Sequence, residues 1–378
     1  MNLDLTEEQE MLRTSARDFL TKECTKALVR KLEEDEKGYS PELWRKMADL
    51  GWMGLVLPEK YNGMGMGFMD LIILLQEMGR NILPGPFFTT VVLGSLPILS
   101  AGTEEQKKEF LPRIATGELI LTLAFTEPSA RYDAAGVNTK AVAQGDSFVI
   151  DGTKLFVENA HIADYIICVA RTKKGTTPEE GITLFLVDAK SPGIKCEVMP
   201  TIGADKLCEV VFKKVEVSKK NMLGKLNEGW PILAKTLEQA AIAKCAEMVG
   251  GQEASMDMTL SYVKERVQYG KPIGSFQVIQ HYCANMWMNV ETSKDILYKA
   301  ACSVAEGLPG STSEVAVAKG WINEAYKFVT ERAVQCHGAI GTTRDHDIGL
   351  YYRRAKAGEL AFGDTDFQKE LVARQLGL

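Results

Sequence analysis

ERVQYGKPIGSFQ, residues 265–277, joins two long stretches of helical periodicity and decides how the rest of the chain is read. A basic residue opens it, Gly270-Lys271-Pro272 breaks it, and an aromatic followed by glutamine, Phe276-Gln277, closes it. Taken alone, it is an ordinary connection between helices whose Arg266 pairs with a nearby acid, as surface arginines commonly do. Apolar residues recur at helical spacing on both sides of it, over 231–269 and 276–306, and again over 312–336, about 347–360 and from about 366.

Upstream the period changes. Between about 121 and 225 the runs LTLAFTE, DSFVIDG, DYIICVA, ITLFLVD, KCEVMP and EVVFKKVEV are short and β-branched, separated by Gly-Asp, Asp-Gly and Ser-Pro-Gly turns. Six such runs in about a hundred residues predict a compact β domain. Before residue 120 the helical period returns. Thr6 with Gln9 forms a capping box, Ser40-Pro41 supplies an N-cap and an N1 proline, Gly51 is a stop, and Thr103 with Gln106 starts a further helix. The order is helical, then β, then helical.

The 378 residues are 46% hydrophobic and 25% charged, enough for two or three domains with large cores. A net charge of −6 repels nucleic acid and acidic lipid. Eight cysteines show no C-x-x-C spacing and read as reduced thiols of a cytoplasmic protein. MNLDLTEEQE lacks the features of a signal or transit peptide, and no apolar run approaches the roughly 20 residues that span a bilayer.

Several chemistries lack their signatures. NGMGMG (62–67) and QCHGAIG (335–341) are glycine-rich, but neither lies between a strand and a helix as a dinucleotide fingerprint or phosphate loop requires. Histidines 161, 281, 337 and 346 have no ligand spacing, so no metal site is expected. No G-x-S-x-G or Cys-His pattern marks a nucleophile.

ERVQYGKPIGSFQ, LAFTEPSA (123–130), QCHGAIG, YYRRAKA (351–357) and the closing LVARQL together resemble the acyl-CoA dehydrogenase family, in that family's order and over essentially the whole chain. The resemblance implies a multidomain α+β protein: an N-terminal α-helical domain over 1–120, a middle β-barrel-like domain over 121–228 and a C-terminal four-helix bundle over 229–378. It also implies FAD, with Arg266 at the pyrophosphate, where a guanidinium fork suits two phosphate oxygens. Gln268 and Tyr269 lie beside it, Gln335, Gly338 and Ala339 match adenosine and pyrophosphate contacts, and Phe125, Thr126 and Phe156 match flavin-side positions. Thr365 belongs to the same cofactor set. The implied partners are an acyl-CoA substrate, electron-transfer flavoprotein, and further subunits in a homotetramer or an α2β2 heterotetramer.

In the family a carboxylate removes the α-proton of an acyl-CoA thioester while the β-hydrogen passes to the flavin as hydride, and a backbone N–H at the catalytic loop polarises the thioester oxygen. Most members read Tyr-Glu-Gly-Thr where this chain has Phe362-Gly363-Asp364-Thr365. The usual glutamate therefore falls on Gly363, which keeps the N–H and loses the base. Asp364 is one candidate replacement, although Thr365 and Gln368 read as a capping box and acids there suit a helix start. Glu247 is the other. It lies two turns along the same helical face from Ala240, where one branch of the family carries its base, and it stands in the small, apolar run KCAEMVGG. Its plain structural role is an ion pair with Lys244. Gly363 is expected to vacate the volume that Glu247 enters. Arg131-Tyr132, Phe156-Val157-Glu158 and Ala241 also depart from the family pattern, which implies a pocket for a bulky, cyclic or branched acyl group. A noncatalytic companion subunit and a flavin oxidase or monooxygenase are the rival readings.

Overall fold

The structure, a computed structural model, describes residues 5–378, so the first four residues of the expected N-terminal domain lie outside it. Six helices come first: α1 (Glu7–Glu23), α2 (Lys26–Glu34), α3 (Pro41–Asp49), α4 (Phe68–Asn81), α5 (Leu96–Ala101) and α6 (Glu104–Ala115). Eight strands follow: β1 (Leu121–Ala124), β2 (Lys140–Gln144), β3 (Ser147–Glu158), β4 (Tyr165–Arg171), β5 (Ile182–Asp188), β6 (Ile194–Met199), β7 (Leu207–Ser218) and β8 (Met222–Leu223). Then come α7 (Gly229–Glu265), a hairpin of β9 (Val267–Gln268) and β10 (Lys271–Pro272), α8 (Gln277–Glu306), α9 (Ser311–His337), α10 (Ile348–Leu360) and α11 (Thr365–Gln375). The chain is thus helical at both ends with a β-sheet domain between, as expected. Among the described residues no helix is long and apolar enough to cross a membrane.

The capping boxes of Thr6/Gln9 and Thr103/Gln106 form as read, and Gly51 takes the left-handed φ of +76° after α3. Three details differ from the sequence reading. The helix expected to reach 269 stops at Glu265, because Tyr269 and Gly270 both have positive φ, 53° and 77°, and form the two-residue turn of a hairpin. The strands β2 and β8 were not foreseen, the first being polar and mostly exposed and the second only two residues long. The last helix is capped by Asp364, not by a Thr365/Gln368 box. Asp364 is extended (ψ 176°) and accepts from Phe367 N at 2.9 Å, while Gln368 Nε2 donates to the Phe362 carbonyl.

The chain forms two compact units. One comprises the chain up to Lys31, Gly67–Leu83 and Ala241–Leu378. In it α4 is buried from Leu71 to Met78. Arg17 of α1 forks onto the fully buried Glu77 carboxylate at 2.9 and 2.6 Å. Against its other side α7 approaches at backbone contact. A Cβ on Gly250 would stand 1.8 Å from the Gln76 carbonyl oxygen, and one on Gly79 2.0 Å from that of Glu247. Gly250→Ala should therefore push α7 off α4 and destabilise by about 1–3 kcal/mol. Urea unfolding measures this, and an unchanged midpoint would show that the approach has slack.

The second unit comprises Leu32–Met66 and Pro84–Ala240. Its sheet runs β6-β7-β3-β2-β4-β5-β8, with β1 parallel to β4. β4 and β5 are buried almost end to end, whereas β3 and β7 alternate and keep one wet face. The β3–β7 register slips twice, and the second slip falls between Lys154 and Val157.

Candidate active site

The loop between α10 and α11 carries two successive left-handed residues, Phe362 (φ 56°) and Gly363 (φ 104°). Gly363 is buried, yet its N–H donates to no group among the described residues. Orphaned buried N–H groups are rare in folded proteins, which singles this one out as a candidate donor. Two residues on, Thr365 Oγ1 is also buried without a partner. Asp364, by contrast, is occupied as the cap of α11. The volume expected to be vacant at Gly363 is filled. A Cβ there would lie 2.3 Å from Gln368 Nε2 and 2.6 Å from Phe367 Cδ1, because the first turn of α11 folds back over the loop.

On α7, every residue from Ala240 to Gly251 is buried except Lys244 and Glu247. A helix apolar all round is a core helix, which makes the two charges conspicuous. Lys244 Nζ lies 2.6 Å from Glu247 Oε2, with the side chains only 14% and 23% exposed. The pair read from the sequence thus forms, but half-sheltered rather than in open solvent. Glu247 Oε1 has no partner among the described residues. The neighbouring Met248 is 3.1 Å from where a Gly358 Cβ would stand, so this stretch of α7 packs on the end of α10. Burial pushes the adjacent Cys245 thiol up to about 12.

Arg266 is exposed and forms no ion pair among the described residues, so the acid partner of the plain reading is missing. Gln268 folds onto its neighbour's carbonyl at 2.7 Å, and Tyr269 is 93% exposed. Gln335 is exposed at the end of α9, followed by the exposed Gly338 (φ 65°) and Ala339. His337 stacks on Tyr262 at 4.4 Å with His346 at 4.5 Å, a cluster that no sequence signal announced. Burial holds both histidines below their ordinary range.

In the sheet unit, Phe125 and Thr126 are tied to the second slip of β3. Leu155 N donates to the Thr126 carbonyl at 2.9 Å, and Lys154 Nζ to that of Phe125 at 3.1 Å. Phe156, at φ 57°, is half exposed there. Lys154 is wholly buried and pairs with Glu127 at 2.8 Å, whose oxygens also accept from the Asn138 and Thr139 amides at 2.9 Å. Burial pushes the Glu127 carboxyl up, but the Lys154 ammonium and the Thr139 donors more than reverse it, so it titrates below its ordinary range. Arg131 is engaged by Asp133 at the surface. Phe156, Tyr269 and Phe362 are all bulky residues at positive φ, a strained conformation that persists where surrounding structure imposes it and that concentrates at functional sites.

Three family models match in succession: the acyl-CoA dehydrogenase N-terminal domain over residues 6–118, its middle domain over 122–215 and its C-terminal domain over 227–377. The chain belongs to the acyl-CoA dehydrogenase family. Among curated relatives, the CarC subunit of the caffeyl-CoA reductase-Etf complex of Acetobacterium woodii is 32% identical, with 98% of each chain covered. Butyryl-CoA dehydrogenase from Megasphaera elsdenii superposes with a TM-score of 0.91 at 32% identity, with 100% of both chains covered. A chain of the ChsE4-ChsE5 complex from Mycobacterium tuberculosis gives 0.91 at 26%, covering 100% of this chain and 99% of that one. Acyl-CoA dehydrogenases are flavoprotein oxidoreductases, and this chain suits a flavin nucleotide: an unpaired guanidinium at Arg266 for phosphate and an orphaned Thr365 hydroxyl. Lys154 and Lys319, both fully buried, were missed from the sequence, where each is a lone lysine in a run of small and apolar residues.

Proposed function

We propose that this chain is an FAD-dependent dehydrogenase that converts an acyl-CoA thioester to the α,β-enoyl thioester, with Glu247 as the base. The observation that carries this reading is the unpaired N–H of the buried Gly363, a donor with no acceptor of its own. A thioester α-proton is weakly acidic, so its removal requires a donor at the oxygen on which enolate charge develops, and a preorganised backbone N–H serves this at no cost in reorganisation. Glu247 Oε1 receives the proton while Lys244 holds Oε2. Arg266 holds the FAD pyrophosphate, Gln268 and Tyr269 flank it, Gln335, Gly338 and Ala339 contact the adenosine side, Thr365 completes the set, and Phe125, Thr126 and Phe156 meet the flavin. Bound FAD supplies the hydride acceptor.

Asp364 is the alternative base, and its capping bond argues against it. Asn caps a helix as well as Asp does. Asp364→Asn is therefore expected to keep both fold and turnover within about threefold of native; loss of turnover in a folded, FAD-bound variant would transfer the role to Asp364.

The departures at Arg131, Phe156 and Ala241 favour a bulky, cyclic or branched acyl group. Electrons pass to electron-transfer flavoprotein, a reading supported by the Etf complex of the CarC relative. Exposed Val278 (54%), Trp287 (52%) and Met288 (57%) along α8 support an oligomer, a homotetramer or a heterotetramer. Eight free cysteines suit the cytoplasm. Anaerobic addition of acyl-CoA thioesters, straight-chain and cyclic, to the yellow protein tests the activity: bleaching by at least one supports it, and no bleaching by any refutes it. The loss of the usual loop glutamate and the likeness to a two-component complex favour a second reading, a noncatalytic companion subunit. That reading predicts bleaching only when a partner chain is added. Rapid reoxidation by air would instead mark an oxidase or monooxygenase.

A further inference from the structure

Lys319 lies in the middle of α9 and is 0% exposed. Its ammonium has no carboxylate partner among the described residues. It donates to the carbonyls of Gly358 at 3.0 Å, Glu359 at 3.3 Å and Gly363 at 3.2 Å, and to Asn323 Oδ1. A buried cation held only by neutral oxygens is expensive, and burial pushes its pKa down to about 8. An apolar side chain of the same length would fill the space at less electrostatic cost, so the lysine is explained by what it holds.

What it holds is one side of Gly363. The Gly363 carbonyl belongs to the peptide that follows Cα, and Lys319 fixes its direction. The Gly363 N–H belongs to the preceding peptide, whose carbonyl, that of Phe362, accepts from Gln368 Nε2 at 3.1 Å. A trans peptide is planar, with its C=O and N–H pointing opposite ways, so anchoring the Phe362 oxygen to Gln368 aims the Gly363 N–H away from Gln368. With both flanking planes pinned, a glycine that would otherwise rotate freely is held at φ 104°.

We propose that Lys319 and Gln368 are positioning residues that lock the two peptide planes around Gly363 and so fix its N–H as the donor to the thioester oxygen. The inference rests on the dehydrogenase reading above. Neither side chain touches substrate; each acts through the backbone. A donor allowed to wander loses its value, and a misplacement of about 1 Å at a reacting centre costs roughly 10²-fold in rate.

The test uses the FAD-loaded full chain and two variants, Lys319→Met and Gln368→Leu. The probe is an aryl-acryloyl-CoA, a conjugated thioester whose absorption band moves to longer wavelength when its carbonyl is hydrogen-bonded. In the native protein the band is expected to shift on binding. In each variant the shift should be lost or at least halved and the rate of anaerobic flavin bleaching should fall roughly 10²-fold, while the KM for the acyl-CoA substrate stays within about threefold. A purely structural role lowers the unfolding temperature but leaves the shift of the folded fraction intact, and that result overturns the proposal. If Lys319→Met does not fold, Gln368→Leu decides, since it releases only the Phe362 carbonyl and leaves the three carbonyls held by Lys319 paired. Absence of both shift and bleaching in the native protein would instead refute the dehydrogenase reading itself.

Discussion

Lys154→Met is expected to destabilise the sheet unit by about 3–5 kcal/mol, the cost of stranding a buried charge. Lys154 is 0% exposed and Glu127 5%, and the carboxylate has no water to fall back on. The same lysine holds the Phe125 carbonyl, so its loss also loosens the segment assigned to the flavin. Removing both charges in Lys154→Met/Glu127→Leu should restore most of the stability, because two apolar side chains no longer leave an unpaired ion. The pH dependence has a definite sign. Glu127 titrates below its ordinary range in the native fold, so its contribution is present at neutral pH and is lost as pH falls through that depressed value. Without Lys154 its largest lowering influence is gone, so the carboxyl titrates higher than in the native fold. The variant's deficit should then shrink as pH falls from about 7 to about 5, where protonation relieves the stranded charge. Urea midpoints at the two pH values measure this. A single variant as stable as native at pH 7, or a deficit that grows on acidification, would contradict the account of the pair.

Much of this was legible in the sequence because local signals agreed with the tertiary outcome. Thr6/Gln9, Ser40-Pro41 and Thr103/Gln106 cap the helices they announce, and the change from a 3.6 to a 2 period places the sheet. What escaped was set by long-range partners. Small and apolar neighbours are the one local sign that sets Lys154 and Lys319 apart from surface lysines; the fold shows that each is sealed in and holding carbonyls. The cap of α11 was assigned one residue late because Asp and Thr are both good caps, and the extended backbone of Asp364 decided between them. The space beside Gly363 could not be read at all, since its occupants, Phe367 and Gln368, arrive only when α11 folds back. Glu247 was visible as an acid in an apolar run, and its surroundings on α7 bear out that oddity.

Glu247→Gln is expected to have the largest effect on turnover. The amide keeps the size of the side chain and an oxygen for Lys244, so the packing of α7 against α4 and α10 is preserved. It cannot accept a proton from a carbon acid, and loss of a general base typically costs 10²–10⁴-fold, so a fall of about 10³-fold or more follows. FAD should remain bound, because none of the residues assigned to it is altered. The decisive measurement is the rate of anaerobic flavin bleaching after rapid mixing of FAD-loaded Glu247→Gln with an acyl-CoA that bleaches the native protein. The expected result is a yellow protein that binds this thioester and stays yellow. Bleaching at close to the native rate would contradict it and show that proton removal does not depend on the carboxylate of α7.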